Sequence, residues 1–170
     1  MSLLSVPRAK ECCFELNSTS KSLNMPGWRI GMLAGNPELI SYVLKAKSNV
    51  DSGMFKPMQM AAAKALEADK DWYDGINSVY RARRKYAEAI LDYIGCTYDK
   101  SQVGLFMWGK IPASYKSCEE VADKILYDCR VFVTPGFIFG SNGDRYIRIS
   151  LCSTEEKLSE ALQRIKENLK

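Results

Sequence analysis

Asn17-Ser18-Thr19-Ser20-Lys21, followed two residues later by Asn24-Met25-Pro26-Gly27-Trp28-Arg29-Ile30-Gly31, is the stretch that decides how this chain is read. It comes after a short, largely apolar run, Cys12-Cys13-Phe14-Glu15-Leu16. That run reads as a buried strand emptying into a polar loop closed by Pro26-Gly27. The loop supplies the hydroxyls of Ser18 and Ser20 and the planar cation of Arg29 on either side of Lys21, and these are the donor types a phosphate requires. A lysine that acts as a nucleophile must be neutral, and desolvation or neighbouring positive charge moves it toward that state. Taken as Ser-x-Ser-Lys alone, the same residues could be an ordinary solvated turn.

A second block lies near the C-terminus. Val133-Thr134-Pro135-Gly136-Phe137-Ile138-Phe139-Gly140 leads to Gly143-Asp144-Arg145-Tyr146-Ile147-Arg148-Ile149-Ser150. A guanidinium held on a strand, here Arg148, can bind a carboxylate bidentately. By itself Arg148 fits equally well as an outward strand arginine in a surface ion pair.

Together the two blocks resemble the fold-type-I pyridoxal-phosphate aminotransferases, and the resemblance covers residues 4–168. It implies that Lys21 forms a Schiff base with pyridoxal 5'-phosphate and then shuttles a proton, that Ser18, Ser20 and Arg29 hold the cofactor phosphate, and that Arg148 binds the α-carboxylate of amino acid and 2-oxo acid substrates. It also implies a cytoplasmic homodimer in which the loop Asn49, Asp51, Ser52, Gly53 and Phe55 approaches the partner's active site. Asn24 to Trp28 lean toward aspartate or LL-diaminopimelate aminotransferases. The family carries glycine at the position of Arg145, which is expected to point to solvent. Members place the lysine segment past the middle of a longer chain, after the aspartate and the aromatic that contact the cofactor ring. Sixteen residues before Asn17 are too few for those strands, so the chain is expected to be the C-terminal part of an aminotransferase. The first half would come from missing sequence, and the isolated chain is expected to be inactive. The competing class is a non-catalytic α/β domain that self-associates. Ser18-Thr19-Ser20-Lys21 also satisfies the Ser-x-x-Lys motif of penicillin-binding proteins, but the S-D-N and K-T-G elements are missing.

Composition is that of a globular protein: 170 residues, 46% hydrophobic, 26% charged, net charge +4. The charge is too mild and scattered for nucleic acid, and the run Arg81-Ala82-Arg83-Arg84-Lys85 reads as a solvated helix face. No apolar run approaches the ~18–20 residues of a membrane span. Six cysteines without a C-x-x-C pair, and no histidine, argue against a metal site and for reduced, mostly buried thiols. Any base here is a lysine, a carboxylate or a tyrosine.

The fold class is α/β. Residues 1–70 read as the end of a large cofactor domain, 71–94 as a long interdomain helix, and 95–170 as a small C-terminal α/β domain with one helix-covered sheet. Strands are expected over residues 12–16, 29–34, 105–111, 131–133 and 146–151. Helices are expected from Asn36-Pro37 to Ala46, over 57–68 and 71–93, over 117–128, and after Ser153-Thr154-Glu155-Glu156. On the long helix, Trp72, Ile76, Val79, Tyr80, Tyr86, Ile90 and Tyr93 are expected to face a core. Trp28, Trp72 and Trp108 are assigned to packing.

Overall fold

The computed structural model describes residues 2–169. It is of the α/β class, and the chain divides between Asp69 and Lys70 into two compact units.

In the first unit a single helical turn, α1 (Ala9–Cys12), stops because Cys13 is extended and its N–H closes on Ala9 O. β1 (Phe14–Ser18) then pairs antiparallel with β2 (Gly31–Gly35), Phe14 opposite Gly35 and Ser18 opposite Gly31. Two expectations fail here. The strand begins at Phe14, with Cys12 still helical, and it is not buried: Leu16 is 76% exposed and Phe14 is exposed as well. A two-stranded ribbon cannot cover its own faces, and among the described residues both outer edges of this one are unpaired. β2 starts at Gly31 and not at Arg29, because Arg29 takes a left-handed φ of 53° after the single 3₁₀ turn Pro26–Trp28. Between the strands lies one further helical turn, α2 (Thr19–Ser22). α3 (Pro37–Ser48) opens as the sequence requires, with Asn36 Oδ1 accepting from Glu38 and Leu39 N–H and Pro37 at the first position. α4 (Lys56–Ala65) follows, three residues shorter at its end than expected.

The second unit begins with α5 (Lys70–Ile94), a 25-residue helix. Its buried face is Ala87, Ile90, Leu91 and Ile94, with Tyr80 packed alongside. Val79, Tyr93 and Trp72 are exposed instead of facing the core. Tyrosine keeps its hydroxyl in reach of polar partners at the surface, and Tyr93 OH donates to Lys166 O at 3.0 Å. The expected solvated run is also only half so: Arg83 donates to Leu151 O at 3.1 Å, and Arg84 donates to the carbonyls of Gln102 and Lys100.

α5 ends at Gly95, φ 83°, where Gly95 N–H donates to Asp92 O and Cys96 N–H donates to Leu91 O. These are the paired bonds of a Schellman cap. A Cβ at Gly95 would meet only Pro112 Cγ at 3.7 Å, an ordinary contact, so alanine there is strained by its backbone alone. Gly95→Ala is expected to cost about 1–2 kcal/mol and lower Tm by roughly 2–8 °C. Thermal unfolding of the variant against the parent chain measures it, and an unchanged Tm would refute the cap argument.

The remaining chain forms a three-stranded antiparallel sheet of β3 (Phe106–Lys110), β4 (Thr134–Pro135) and β5 (Tyr146–Ser150) in the order β3-β5-β4, together with α6 (Cys118–Cys129) and α7 (Glu155–Asn168). Alternation divides the sheet. Met107, Gly109, Ile147 and Ile149 are buried; Phe106, Trp108, Tyr146 and Arg148 are half-buried on the opposite face. The buried face joins α5, Val121 and Ile125 of α6, and Ile165 of α7 in one core. Ser117 caps α6 through Glu120 N–H, and Thr154 caps α7 through Lys157 N–H. The strand expected at residues 131–133 is not formed, and pairing begins at Thr134 opposite Arg148. Arg130, left-handed at φ 57°, turns the chain off α6, and Val133 is buried without joining the ladder.

All six thiols are free, but only Cys96, Cys118 and Cys129 are buried. Burial pushes the Cys96 thiol up to about 12.

Candidate functional site

The loop between β1 and β2 is pinned from inside. Thr19 is fully buried, and both its N–H (3.2 Å) and its Oγ1 (3.0 Å) donate to Ile30 O. Its own carbonyl accepts from Leu23 and Met25 N–H. Leu23, Met25 and Ile30 are buried around this turn, and Ser18, Lys21 and Arg29 are exposed. The turn therefore keeps its apolar residues and Thr19 inside and directs Ser18, Lys21 and Arg29 outward.

Ser18, Ser20, Lys21 and Arg29 are thus brought together by one hairpin end. Ser18 Oγ accepts from Ser20 N–H as the cap of α2. Arg29 Nη1 donates to Pro26 O at 3.2 Å, and its backbone lies next to the Ile30 carbonyl that holds Thr19. Lys21 has no partner among the described residues, and neither has the Ser20 hydroxyl. From Asn17 to Gly35 the chain carries Lys21 and Arg29 and no acid. A set of two cations and two hydroxyls, with no carboxylate, fits a phosphate and an aldehyde-bearing group such as pyridoxal phosphate.

Arg148 lies in the second unit. Its guanidinium is clamped between rings, 4.2 Å from the centroid of Phe106 and 4.3 Å from that of Phe139, with Trp108 at 5.9 Å. Its Nε is buried without a hydrogen-bond partner. Among the described residues no carboxylate pairs with it, so the surface ion pair allowed by the sequence is not formed there. A half-buried cation fixed by aromatic faces and lacking a counter-ion is pre-organised for an anion.

The geometry of this face depends on backbone contact. A Cβ on Gly136 would lie 2.3 Å from Gly143 O, and one on Gly143 would lie 2.0 Å from Gly136 O. Two glycines in van der Waals contact let the 136–143 turn fold back and set Phe139 over Arg148 and edge-on to Trp108. Trp108 is not a core residue: it lines a cleft of about 370 Å³ with Phe139, Asn142, Gly143 and Tyr146. Trp28 is exposed, and Trp72, also partly open, packs edge-on against the Tyr73 ring at 5.0 Å.

Arg145 does not point to solvent. It donates to Pro112 O (2.8 Å), Tyr115 O (2.8 Å) and Lys116 O (3.0 Å), and so ties the segment before α6 to the start of β5. In the first unit, the loop at residues 49–55 is exposed at Val50 and Phe55. The Lys47 ammonium and the Gly53 N–H hold the Asp51 carboxyl below its usual value.

The sequence reading missed Thr19, Phe106 and Phe139. Thr19 was hidden between two serines of like chemistry. Phe139 was within a quoted motif, but only the folded turn shows what its ring covers.

Among the described residues no helix is long and apolar enough to cross a membrane, and no group of three or more metal-binding side chains occurs. Residues 3–165 match the aminotransferase class I and II family. The chain is 43% identical to the LL-diaminopimelate aminotransferase of Aquifex aeolicus over 169 residues, which is 99% of this chain and 43% of that protein. It is 39% identical to the enzyme of the same name from Nitratidesulfovibrio vulgaris, over 97% of this chain and 42% of that one. Among solved structures, apo-BacF of Bacillus subtilis superposes with TM-score 0.86 at 36% identity, covering 98% of this chain and 42% of the other. An aromatic aminotransferase of Pyrococcus horikoshii superposes with TM-score 0.86 at 30% identity, covering 98% and 46%. The chain spans less than half the length of these relatives, and over that span its two blocks, its fold and its matched residues agree: it belongs to the class I and II aminotransferase family.

Proposed function

We propose that this chain is the C-terminal part of an enzyme that moves an amino group between an amino acid and a 2-oxo acid. The observation that carries the reading is Arg148, clamped between Phe106 and Phe139 with its Nε unsatisfied and with no counter-ion among the described residues. A substrate α-carboxylate is the anion it is set up to take. Lys21 would hold pyridoxal 5'-phosphate, and Ser18, Ser20 and Arg29 would bind its phosphate. Bound there, the cofactor would supply an aldehyde and an electron-withdrawing ring. Lys21 Nζ, without a partner among the described residues, would accept the Cα proton and carry it through the 1,3-shift that transamination requires. Arg148 fixes the substrate by its carboxylate, so that the Cα–H bond keeps one direction.

In this reading residues 1–70 end a large domain, the long helix links it to the small domain at 95–170, and the whole protein is a cytoplasmic homodimer whose 49–55 loop meets the partner. The relatives' names favour LL-diaminopimelate as the amino donor. A second reading, a non-catalytic self-associating domain, draws on the exposed β1–β2 ribbon, whose unpaired edges invite pairing with another copy.

One experiment with two arms tests the proposal. The purified chain is incubated with pyridoxal phosphate and pairs of amino and oxo acids, and no turnover is expected. Residues preceding Lys21 hold no aspartate to act on the cofactor ring, and the ribbon that carries the lysine lacks sheet neighbours. In the second arm residues 3–165 replace the matching segment of the Aquifex aeolicus enzyme, and the chimera is expected to transaminate. A folded chimera that binds no cofactor would overturn the catalytic reading, and multiple turnovers by the chain alone would overturn its dependence on further sequence.

A further inference from the structure

Cys12 and Cys13 take no part in the site described above, yet they are the least protected thiols with a partner. Cys12 is exposed, Cys13 is half-exposed, and their sulfurs are 3.7 Å apart. The backbone holds the pair on both sides. Cys13 N–H donates to Ala9 O at 2.8 Å, Cys13 O accepts from Asn36 N–H at 2.9 Å, and Asn36 Nδ2 donates to Glu11 O at 2.6 Å.

The spacing suits one centre bridging both sulfurs. Two thiolates on a tetrahedral ion with metal–sulfur bonds of about 2.3 Å lie roughly 3.8 Å apart. A disulfide suits it less, because neighbouring Cα atoms across a trans peptide are about 3.8 Å apart, short of the ~4.4 Å where disulfides usually begin.

The surroundings select the centre. The chain has no histidine, and no third ligand-type side chain joins the pair among the described residues. The Glu11 carboxylate is engaged by Arg8, whose Nη2 lies 2.8 Å from it. A four-coordinate divalent ion would therefore keep half its shell open. Trivalent arsenic bearing one organic group needs two sulfurs and nothing more.

We propose that Cys12 and Cys13 form a bidentate modification site for monosubstituted trivalent arsenicals. Each thiol passes its proton to an arsenic-bound hydroxyl. Two As–O bonds break, two As–S bonds form, two water molecules leave, and no oxidation state changes. The pair sits at the opposite end of the five-residue strand β1 from Ser18, about 17 Å along the chain. The site therefore stands whether or not Lys21 holds a cofactor.

The full 170-residue chain is treated with phenylarsine oxide and followed by intact mass. One equivalent is expected to survive excess monothiol and to leave with a dithiol such as 2,3-dimercaptopropanol. Cys12→Ser and Cys13→Ser are each expected to lower retention about 100-fold or more, because the second sulfur no longer acts at high effective concentration. Cys152→Ser, the other exposed thiol, is expected to retain the adduct. Loss of the wild-type adduct to monothiol, or its persistence in either single variant, would overturn the site. Circular dichroism of the variants checks that their fold is intact.

Discussion

Lys21→Ala in the Aquifex aeolicus chimera is expected to abolish transamination and the visible absorption of lysine-held cofactor. Removing a positioned proton carrier alone costs about 10²–10⁴-fold. Losing the covalent hold on the cofactor adds to this. The expectation comes from the place of Lys21: in the short turn capped by Ser18, held from inside by Thr19 on Ile30 O, with its ammonium unpartnered among the described residues. Lys21→Arg keeps a cation at that place and removes the nucleophile, so it separates charge from chemistry. The arginine variant is expected to recover no turnover even where it retains cofactor by its phosphate. An alanine variant with wild-type turnover and a cofactor attachment still reducible by borohydride would end the assignment.

The second unit was largely legible in the sequence because its signals are local. Ser117 and Thr154 cap the helices they precede, Gly95 closes α5 in the left-handed conformation, and β3 and β5 alternate between core and cleft. Where reading failed, a competing interaction decided. On α5 the aromatic positions drew attention, but the helix buries its small and aliphatic face, Ala87, Ile90, Leu91 and Ile94. Periodicity finds a stripe; which of two overlapping stripes is buried depends on what packs against it. The short pairing at Thr134–Pro135 instead of residues 131–133 follows from the left-handed turn at Arg130, a conformation that arginine does not advertise. The anchorage of Arg145 is not legible from its neighbours in sequence. Its three carbonyls lie 29 to 33 residues away. The candidate site residues can be proposed as a set because their order along the chain is long and specific, whereas the clamp on Arg148 is not legible: Phe106 and Phe139 come from separate segments and meet only in the fold.

Arg148→Gln in the same chimera is expected to raise KM for both amino and oxo acids and to leave cofactor binding unchanged. Glutamine retains donors but loses the charge and the two-pronged geometry. The loss of a charge-assisted bidentate contact is worth on the order of 2–4 kcal/mol, or about 30- to 1000-fold in kcat/KM. Arg148→Lys tests geometry apart from charge, since an ammonium cannot present the planar fork and stacks less well between Phe106 and Phe139. It is expected to recover only part of the loss. Truncation to alanine is the poorer test, because it also empties the space between the rings and forfeits cation–π contacts of about 0.5–2 kcal/mol each. The decisive readout is the division between cofactor and substrate. A carboxylate-binding arginine changes substrate kinetics while cofactor absorbance persists. An arginine that merely braces two rings changes thermal stability and leaves kcat/KM where it was, and that outcome would remove Arg148 from the site.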